Sequence, residues 1–148
     1  MNIAQAEIHR SYYRYTVTID LDQIGIDKEY DLELPNSEKA RRVNKLLDTI
    51  SVLYRDIRGR REDLKPLFAI GGVYDIKNPV FQNVVDIKDK KILVDAINGV
   101  MFDSIKTDTC CGLIKGKFDN DSEITESLNA VSMPEFFGFL KGKVSGYY

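Results

Sequence analysis

The chain has 148 residues, of which 43% are hydrophobic and 30% are charged, with a formal net charge of −2. This size and balance are those of one soluble globular domain, so we expect residues 1–148 to form a single domain. No run approaches the roughly 18 apolar residues of a membrane span. The first ten residues lack the apolar core of a signal peptide, so we expect a cytoplasmic protein.

The first predicted element is a strand at Ser11–Asp20, where aromatic and β-branched side chains alternate with polar ones. Tyr12 and Arg14 would lie on its more polar face. On sheets that bind RNA, such residues stack on bases and pair with phosphates, so both are candidate RNA contacts. An ordinary, half-solvated sheet face would show the same pattern.

An amphipathic helix is predicted from Asn36 to Ile57, because its apolar residues recur at gaps of three and four. Asn36 or Ser37 would cap its start. Gly59 would end it, since glycine enters the left-handed conformation without steric cost.

Positive charge is concentrated within and just after this predicted helix. From Lys39 to Lys65 there are nine basic and four acidic residues, a local charge of about +5 in a chain that is acidic overall. The arginine fork donates two parallel hydrogen bonds to phosphate, so the segment is a candidate for binding a nucleic-acid backbone. The candidate residues are Arg41, Arg42, Arg55, Arg58, Gly59, Arg60, Arg61 and Lys65. The same cations could instead complement the helix dipole and pair with neighbouring acids.

The rest of the chain shows shorter patterns. The predicted elements are strands at 67–76, with a bulge at Gly71-Gly72, at 80–87 and at 109–114, and helices at 91–106, 124–128 and from Ser132 onward. The last helix is the best marked, because Ser132, Pro134 and Glu135 combine a capping box with a proline in the first turn. This order of elements indicates an α+β fold with a mostly antiparallel sheet.

The sequence contains no motif of an active site, a metal site or a cofactor site. We therefore expect the protein to bind no metal and no cofactor and to have no enzymatic activity. Cys110 and Cys111 are adjacent, and we expect two reduced thiols in a half-buried strand. His9 is the only histidine. It could activate a 2′-hydroxyl as a general base, which leaves a metal-free RNA endonuclease as an alternative, but nothing in the spacing favours this over an ordinary surface histidine.

Three stretches together resemble the CRISPR-associated DevR-type proteins, RAMP-superfamily backbone subunits of type I-B Cascade. They are YYRYTVTIDLDQIGI (12–26), RDIRGRREDLKPLFAIGGVYDIKNPVFQNVV (55–85) and GLIKGKFDNDSEI (112–124). The resemblance implies a partial RRM-like (ferredoxin-like) palm, with helices packed on one face of the sheet. It also implies that residues 58–61 lie in a segment associated with RNA contact, and that residues 78–83 match a recurring palm segment. The G-x-x-x-G-x-F pattern at Gly112, Gly116 and Phe118 matches a further motif of the family, the late motif.

The resemblance spans nearly all of this chain but only the C-terminal half of the family, so we expect a truncated part of a longer RAMP-type protein. The implied function is that of a non-catalytic guide-RNA-binding and assembly subunit of a type I CRISPR surveillance (Cascade) complex, in antiviral defence. Its partners would be the CRISPR guide RNA, other copies of itself in a homo-oligomer and other Cascade subunits. A fragment that binds only proteins is a further alternative, with the arginines paired to acids.

Overall fold

The computed structural model of the protein describes residues 11–148. Its α-helices are α1 (Asn36–Ser51), α2 (Val94–Asn98), α3 (Asp103–Lys106), α4 (Asp121–Leu128) and α5 (Met133–Tyr147). Its strands are β1 (Ile26–Asp27), β2 (Leu32–Glu33), β3 (Tyr54–Ile57), β4 (Arg60–Asp63), β5 (Phe68–Gly72), β6 (Ile87–Lys88), β7 (Lys91–Ile92), β8 (Thr109–Leu113) and β9 (Val131–Ser132). The predicted α+β fold class is confirmed.

The largest sheet has three strands in the order β5-β8-β9. Strand β8 pairs antiparallel with β5, from Phe68 opposite Leu113 to Gly72 opposite Thr109. It pairs in parallel with the short strand β9. Three further antiparallel pairs, β1–β2, β3–β4 and β6–β7, are separate two-stranded hairpins.

Strand β8 supplies side chains to two apolar cores, because successive side chains of a strand point to opposite faces. Cys111 and Leu113 belong to a core with α2 and α4, and Cys110 packs against a second core. The second core is built from α1 and α5. Helices therefore lie on both faces of the sheet, whereas the resemblance implied helices on one face.

Helix α5 lies unusually close to strand β8 at Gly112. A β-carbon on Gly112 would come within 2.7 Å of Phe136 Cβ and 3.1 Å of Met133 Sδ. Only glycine fits between the two elements without displacing the helix. The glycine of the late motif is thus a packing residue.

The predicted strand at Ser11–Asp20 is wrong, because no part of this segment is in a strand. No strand within residues 11–148 pairs with it. Its side chains contact other segments instead: Arg14 donates to the Val85 carbonyl at 2.6 Å, and Tyr15 to the Leu64 carbonyl at 3.5 Å. The alternating pattern identified residues that suit a strand. A strand also requires a neighbouring strand to pair with, and the pattern carries no information about that.

The predicted long helix is wrong beyond Ser51, where α1 ends. The residues that follow form the β3–β4 hairpin, and Gly59 lies in its turn instead of capping a helix. Complementary charges on the two strands favour the hairpin, since Arg55 faces Glu62 and Asp56 faces Arg61. The predicted N-cap residues are also inside the helix, whose N-cap is Pro35 without a side-chain hydrogen bond.

The predicted strand at 67–76 is confirmed at Phe68–Gly72, which form β5, and wrong at 73–76, and the predicted strand at 80–87 is wrong except at Ile87. Pro79 lies within this stretch and cannot donate to a strand ladder, and the chain there forms turns. The predicted helix at 91–106 is divided, because its first residues form β7 and Gly99 ends α2.

The C-terminal predictions are confirmed. Strand β8, helix α4 and helix α5 lie where the sequence placed a strand and two helices. Ser132 accepts a hydrogen bond from the backbone of Glu135, whose carboxylate accepts one from the backbone of Ser132. This is the predicted capping box, and both cysteines are free thiols in β8 as expected.

Candidate nucleic-acid interface

Four of the predicted arginines lie on one β-hairpin, Tyr54–Asp63, which we call the arginine hairpin. Its two loop residues, Arg58 and Gly59, have φ angles of +49° and +76°. Positive φ at both positions is typical of a type I′ turn, which matches the twist of a hairpin and favours glycine. Nothing lies within 4 Å of a β-carbon built on Gly59, so the turn is open to solvent.

Two arginines of the arginine hairpin pair with acids on the opposite strand. Arg61 binds Asp56 through two nitrogens, at 3.1 and 3.3 Å, and Arg55 binds Glu62 at 3.2 Å. The Arg61 guanidinium also lies 4.2 Å from the ring centre of Tyr54. The hydrogen bond to Asp56 raises the pKa of Arg61 above its ordinary value. Both arginines therefore form ion pairs across the two strands of the hairpin, at its exposed surface.

Arg58 and Arg60 differ from these two. Both are exposed, and no carboxylate within residues 11–148 forms an ion pair with either. Arg58 occupies the turn, and Arg60 lies directly opposite Ile57. The tip of the hairpin therefore presents two guanidinium groups to solvent.

The other predicted basic residues are largely compensated by acids. Glu38 accepts from Arg41 at 2.7 Å and from Arg42 at 3.0 Å, and hydrogen bonds from Arg41 and then Arg42 lower its pKa to about 2. Lys65 pairs with Asp63. Of the nine basic residues from Lys39 to Lys65, six are paired in this way: Lys39, Arg41, Arg42, Arg55, Arg61 and Lys65.

The structure does not bring all of these residues together. Arg42 lies nine residues before the end of α1, about 14 Å along the helix axis. The arginine hairpin follows the other end of that helix. Arg41 and Arg42 thus form a separate group on the first half of α1.

Tyr12 and Arg14 contact the protein itself. Arg14 donates to the Val85 carbonyl, and the Tyr12 ring stacks on Phe118 with centroids 6.0 Å apart. The Tyr12 hydroxyl donates to the Lys117 carbonyl at 3.5 Å. Tyr12 remains 44% exposed, so part of its ring is accessible.

A second basic surface was missed by the sequence analysis. Five exposed lysines lie on the β6–β7 hairpin and on the loop before α4, and a backbone hydrogen bond joins the two segments, from the Asp119 amide to the Lys90 carbonyl at 3.1 Å. We call them the lysine surface: Lys88, Lys90, Lys91, Lys115 and Lys117. Their dense spacing is visible in the sequence, but only the fold shows that the two groups are neighbours.

The remaining chemical candidates are few. His9 lies outside the described residues, so the structure gives no environment for it. Burial raises the pKa of the Cys111 thiol to about 12, which makes it a poor nucleophile at neutral pH. Among residues 11–148 no three or more His, Cys, Asp or Glu residues are grouped as metal ligands. No helix in that range is both long and apolar enough to span a membrane.

Comparison with known proteins identifies the family. Residues 1–95 match the family described as "CRISPR-associated negative auto-regulator DevR/Csa2". This range contains the arginine hairpin and α1, whereas the late motif around Gly112 lies beyond it. Comparisons with curated proteins and with solved structures give no match. Because the match covers more than half of the sequence, the chain belongs to the CRISPR-associated DevR/Csa2 family.

Proposed function

We propose that this protein is a non-catalytic guide-RNA-binding and assembly subunit of a type I CRISPR surveillance (Cascade) complex, as the likeness to type I-B backbone subunits implies. Its partners would be the CRISPR guide RNA, further copies of the same chain and other Cascade subunits. The observation that carries the proposal is the pair of uncompensated arginines, Arg58 and Arg60, at the open tip of the arginine hairpin.

The ion pairs within the hairpin are compatible with RNA binding. The side chains of Arg55 and Arg61 are 58% and 66% exposed, and exposed ion pairs contribute only about 0.2–1 kcal/mol. A phosphate competes easily with a carboxylate held so weakly, since the arginine fork matches both. Arg55 and Arg61 can therefore add to the contacts that Arg58 and Arg60 begin.

Assembly between copies is supported by an unpaired sheet edge. Strand β5 pairs only with β8 among the described strands, and its residues Phe68–Gly72 carry no charge. An uncharged edge strand is a template for pairing with another chain. When guide RNA is added, we expect the molar mass measured by light scattering to rise by multiples of the mass of one chain. A constant mass would contradict the assembly role.

The RNA-binding role is tested by removing the two uncompensated arginines together. Arg58→Ala/Arg60→Ala should bind a labelled single-stranded RNA carrying a CRISPR repeat about tenfold more weakly at low salt, because two phosphate contacts are lost. The matched control is Lys28→Ala/Lys106→Ala, which removes the same charge from exposed lysines without ion pairs among the described residues. Equal affinities of the two variants would contradict the proposed role of the hairpin.

The non-catalytic part of the proposal needs its own experiment. Labelled repeat RNA is incubated with the wild type and with His9→Ala, and its length is followed by gel electrophoresis. We expect the RNA to stay intact with both proteins. Cleavage by the wild type that His9→Ala abolishes would overturn this part, since a histidine can activate the 2′-hydroxyl.

A further inference from the structure

The lysine surface begins at the tight turn between β6 and β7. Lys88 and Lys91 lie directly opposite each other in this hairpin. The two loop residues, Asp89 and Lys90, have φ angles of +49° and +61°. Asparagine and glycine are favoured at such positions, so a lysine there is unusual.

The second loop of this surface is held against the turn by several hydrogen bonds. The Asp119 amide donates to the Lys90 carbonyl, and the buried Asn120 side chain bonds both backbone groups of Ile92, at 3.0 and 2.9 Å. Lys117 lies two residues before Asp119 and is exposed. The fold therefore fixes lysines from two distant parts of the sequence at one surface.

None of the five lysines forms an ion pair with a carboxylate within residues 11–148. Four acids lie on the same two segments, Asp86, Asp89, Asp119 and Asp121, so the lysines outnumber the nearby acids by one. Asp121 accepts from the amides of Gly116 and Phe118, and Asp86 accepts from the amide of Ile87. Asp89 and Asp119 are exposed, and neither pairs with a lysine.

This arrangement is unfavourable for the protein alone. Like charges directly opposite each other destabilise a strand pair, and Lys88 and Lys91 are such a pair. A bound anion would remove the repulsion. The cost therefore points to a ligand that carries negative charge.

Aromatic side chains border the lysines. Tyr12 stacks on Phe118, and its hydroxyl binds the backbone of Lys117. Tyr12 remains 44% exposed. Exposed aromatic rings beside cations suit single-stranded nucleic acids, whose bases stack while the phosphates are neutralised.

The lysine surface lies within reach of the arginine hairpin. Tyr12 contacts Lys117, and three residues later Tyr15 donates to the Leu64 carbonyl at the base of the arginine hairpin. An extended chain covers about 10 Å in three residues. One polynucleotide strand could therefore touch both surfaces, whereas a small anion could not.

We propose that the lysine surface binds the phosphodiester backbone of a single-stranded nucleic acid, as a second contact region distinct from the arginine hairpin. This inference rests on the proposed function, because it extends the path of the bound RNA. It adds residues that the sequence analysis did not select. It also gives Tyr12 a position at the edge of that path.

The first test uses Lys90→Ala/Lys117→Ala, which removes one lysine from each loop. Binding of a labelled homopolymeric single-stranded RNA to the full chain is measured by fluorescence anisotropy at several salt concentrations. We expect about tenfold weaker binding at low salt, and a slope of log affinity against log salt that is smaller by about 1.4, or 0.7 per lost phosphate contact. The control Lys28→Ala/Lys106→Ala should change affinity less than about twofold.

A second variant separates binding from folding. Lys91→Glu replaces the repulsion with Lys88 by an attractive pair, so the melting temperature should stay the same or rise. RNA binding should nevertheless weaken. A variant that merely damages the fold would lose both properties.

The outcomes are distinguishable. The inference is overturned if wild-type protein binds RNA and the lysine variants bind as tightly as the control. It is also overturned if the protein binds polyglutamate and the lysine changes weaken the binding of polyglutamate but not the binding of RNA, since the partner would then be an acidic protein. If the wild type binds no RNA at all, the proposed function itself is contradicted, and the inference that rests on it is overturned as well.

Discussion

At the scale of single residues, Asn120 connects the two loops that carry the lysine surface. Its amide accepts from the Ile92 amide and donates to the Ile92 carbonyl and to Glu123. In effect the side chain replaces a neighbouring strand, because these backbone groups of β7 need partners when buried. Asn120 precedes α4 without capping it through its side chain, and bridges instead to a distant strand.

Asn120→Ala should lower the free energy of unfolding by about 2–6 kcal/mol, since two buried backbone groups lose their partners at about 1–3 kcal/mol each. The change is measured by urea denaturation followed by circular dichroism. Asn98→Ala is the control, because Asn98 is exposed and binds only the hydroxyl of Ser127. Similar losses in both variants would contradict the bridging role of Asn120.

At the scale of elements, the packing of α5 on β8 depends on Gly112. Ala at this position would need to displace Phe136, so Gly112→Ala should cost about 1–3 kcal/mol of stability. Gly138 is the control, because it lies on the exposed face of α5 itself, where a β-carbon meets nothing within 4 Å. Gly138→Ala should stabilise the protein by about 0.5–1 kcal/mol, because alanine favours the helix.

Denaturation of the two variants under identical conditions checks this contrast. Opposite signs would support the close contact of α5 and β8. A loss of stability for Gly138→Ala as large as that for Gly112→Ala would contradict it, and would indicate that the open face of α5 is covered in solution.

The elements differed in how well the sequence predicted them. Helix α5 was predictable because Ser132, Pro134 and Glu135 form its start locally. The arginine hairpin was mistaken for a helix, because the helical spacing of apolar residues continues through Leu53 and Ile57. The sequence also contained evidence for a hairpin, because pairs of charged residues at equal distances on either side of the Arg58-Gly59 turn carry opposite charges.

The candidate site was predictable in part. The sequence identified the concentration of arginines but not which of them would be compensated, since ion pairs depend on strand register. Arg58 and Arg60 differ from Arg55 and Arg61 only through the pairing of β3 with β4. The lysine surface depends on a contact between Lys90 and Asp119, and such a contact cannot be derived from local patterns.

At the scale of the whole molecule, an acidic chain carries two exposed basic surfaces. The net charge is −2, so its general field repels RNA and favours solubility instead of non-specific binding. In the proposed function, attraction to RNA would come from local contacts at the arginine hairpin and the lysine surface. Such contacts release counterions and make affinity strongly dependent on salt.

The most direct test of the central claim is the slope of log affinity against log salt for repeat-containing RNA. We measure it for the wild type and for Arg58→Ala/Arg60→Ala. We expect a steep decline for the wild type and a slope smaller by about 1.4 for the variant, because each lost phosphate contact removes about 0.7. An affinity that does not change with salt, or the same slope for both proteins, would contradict the claim that these arginines hold RNA.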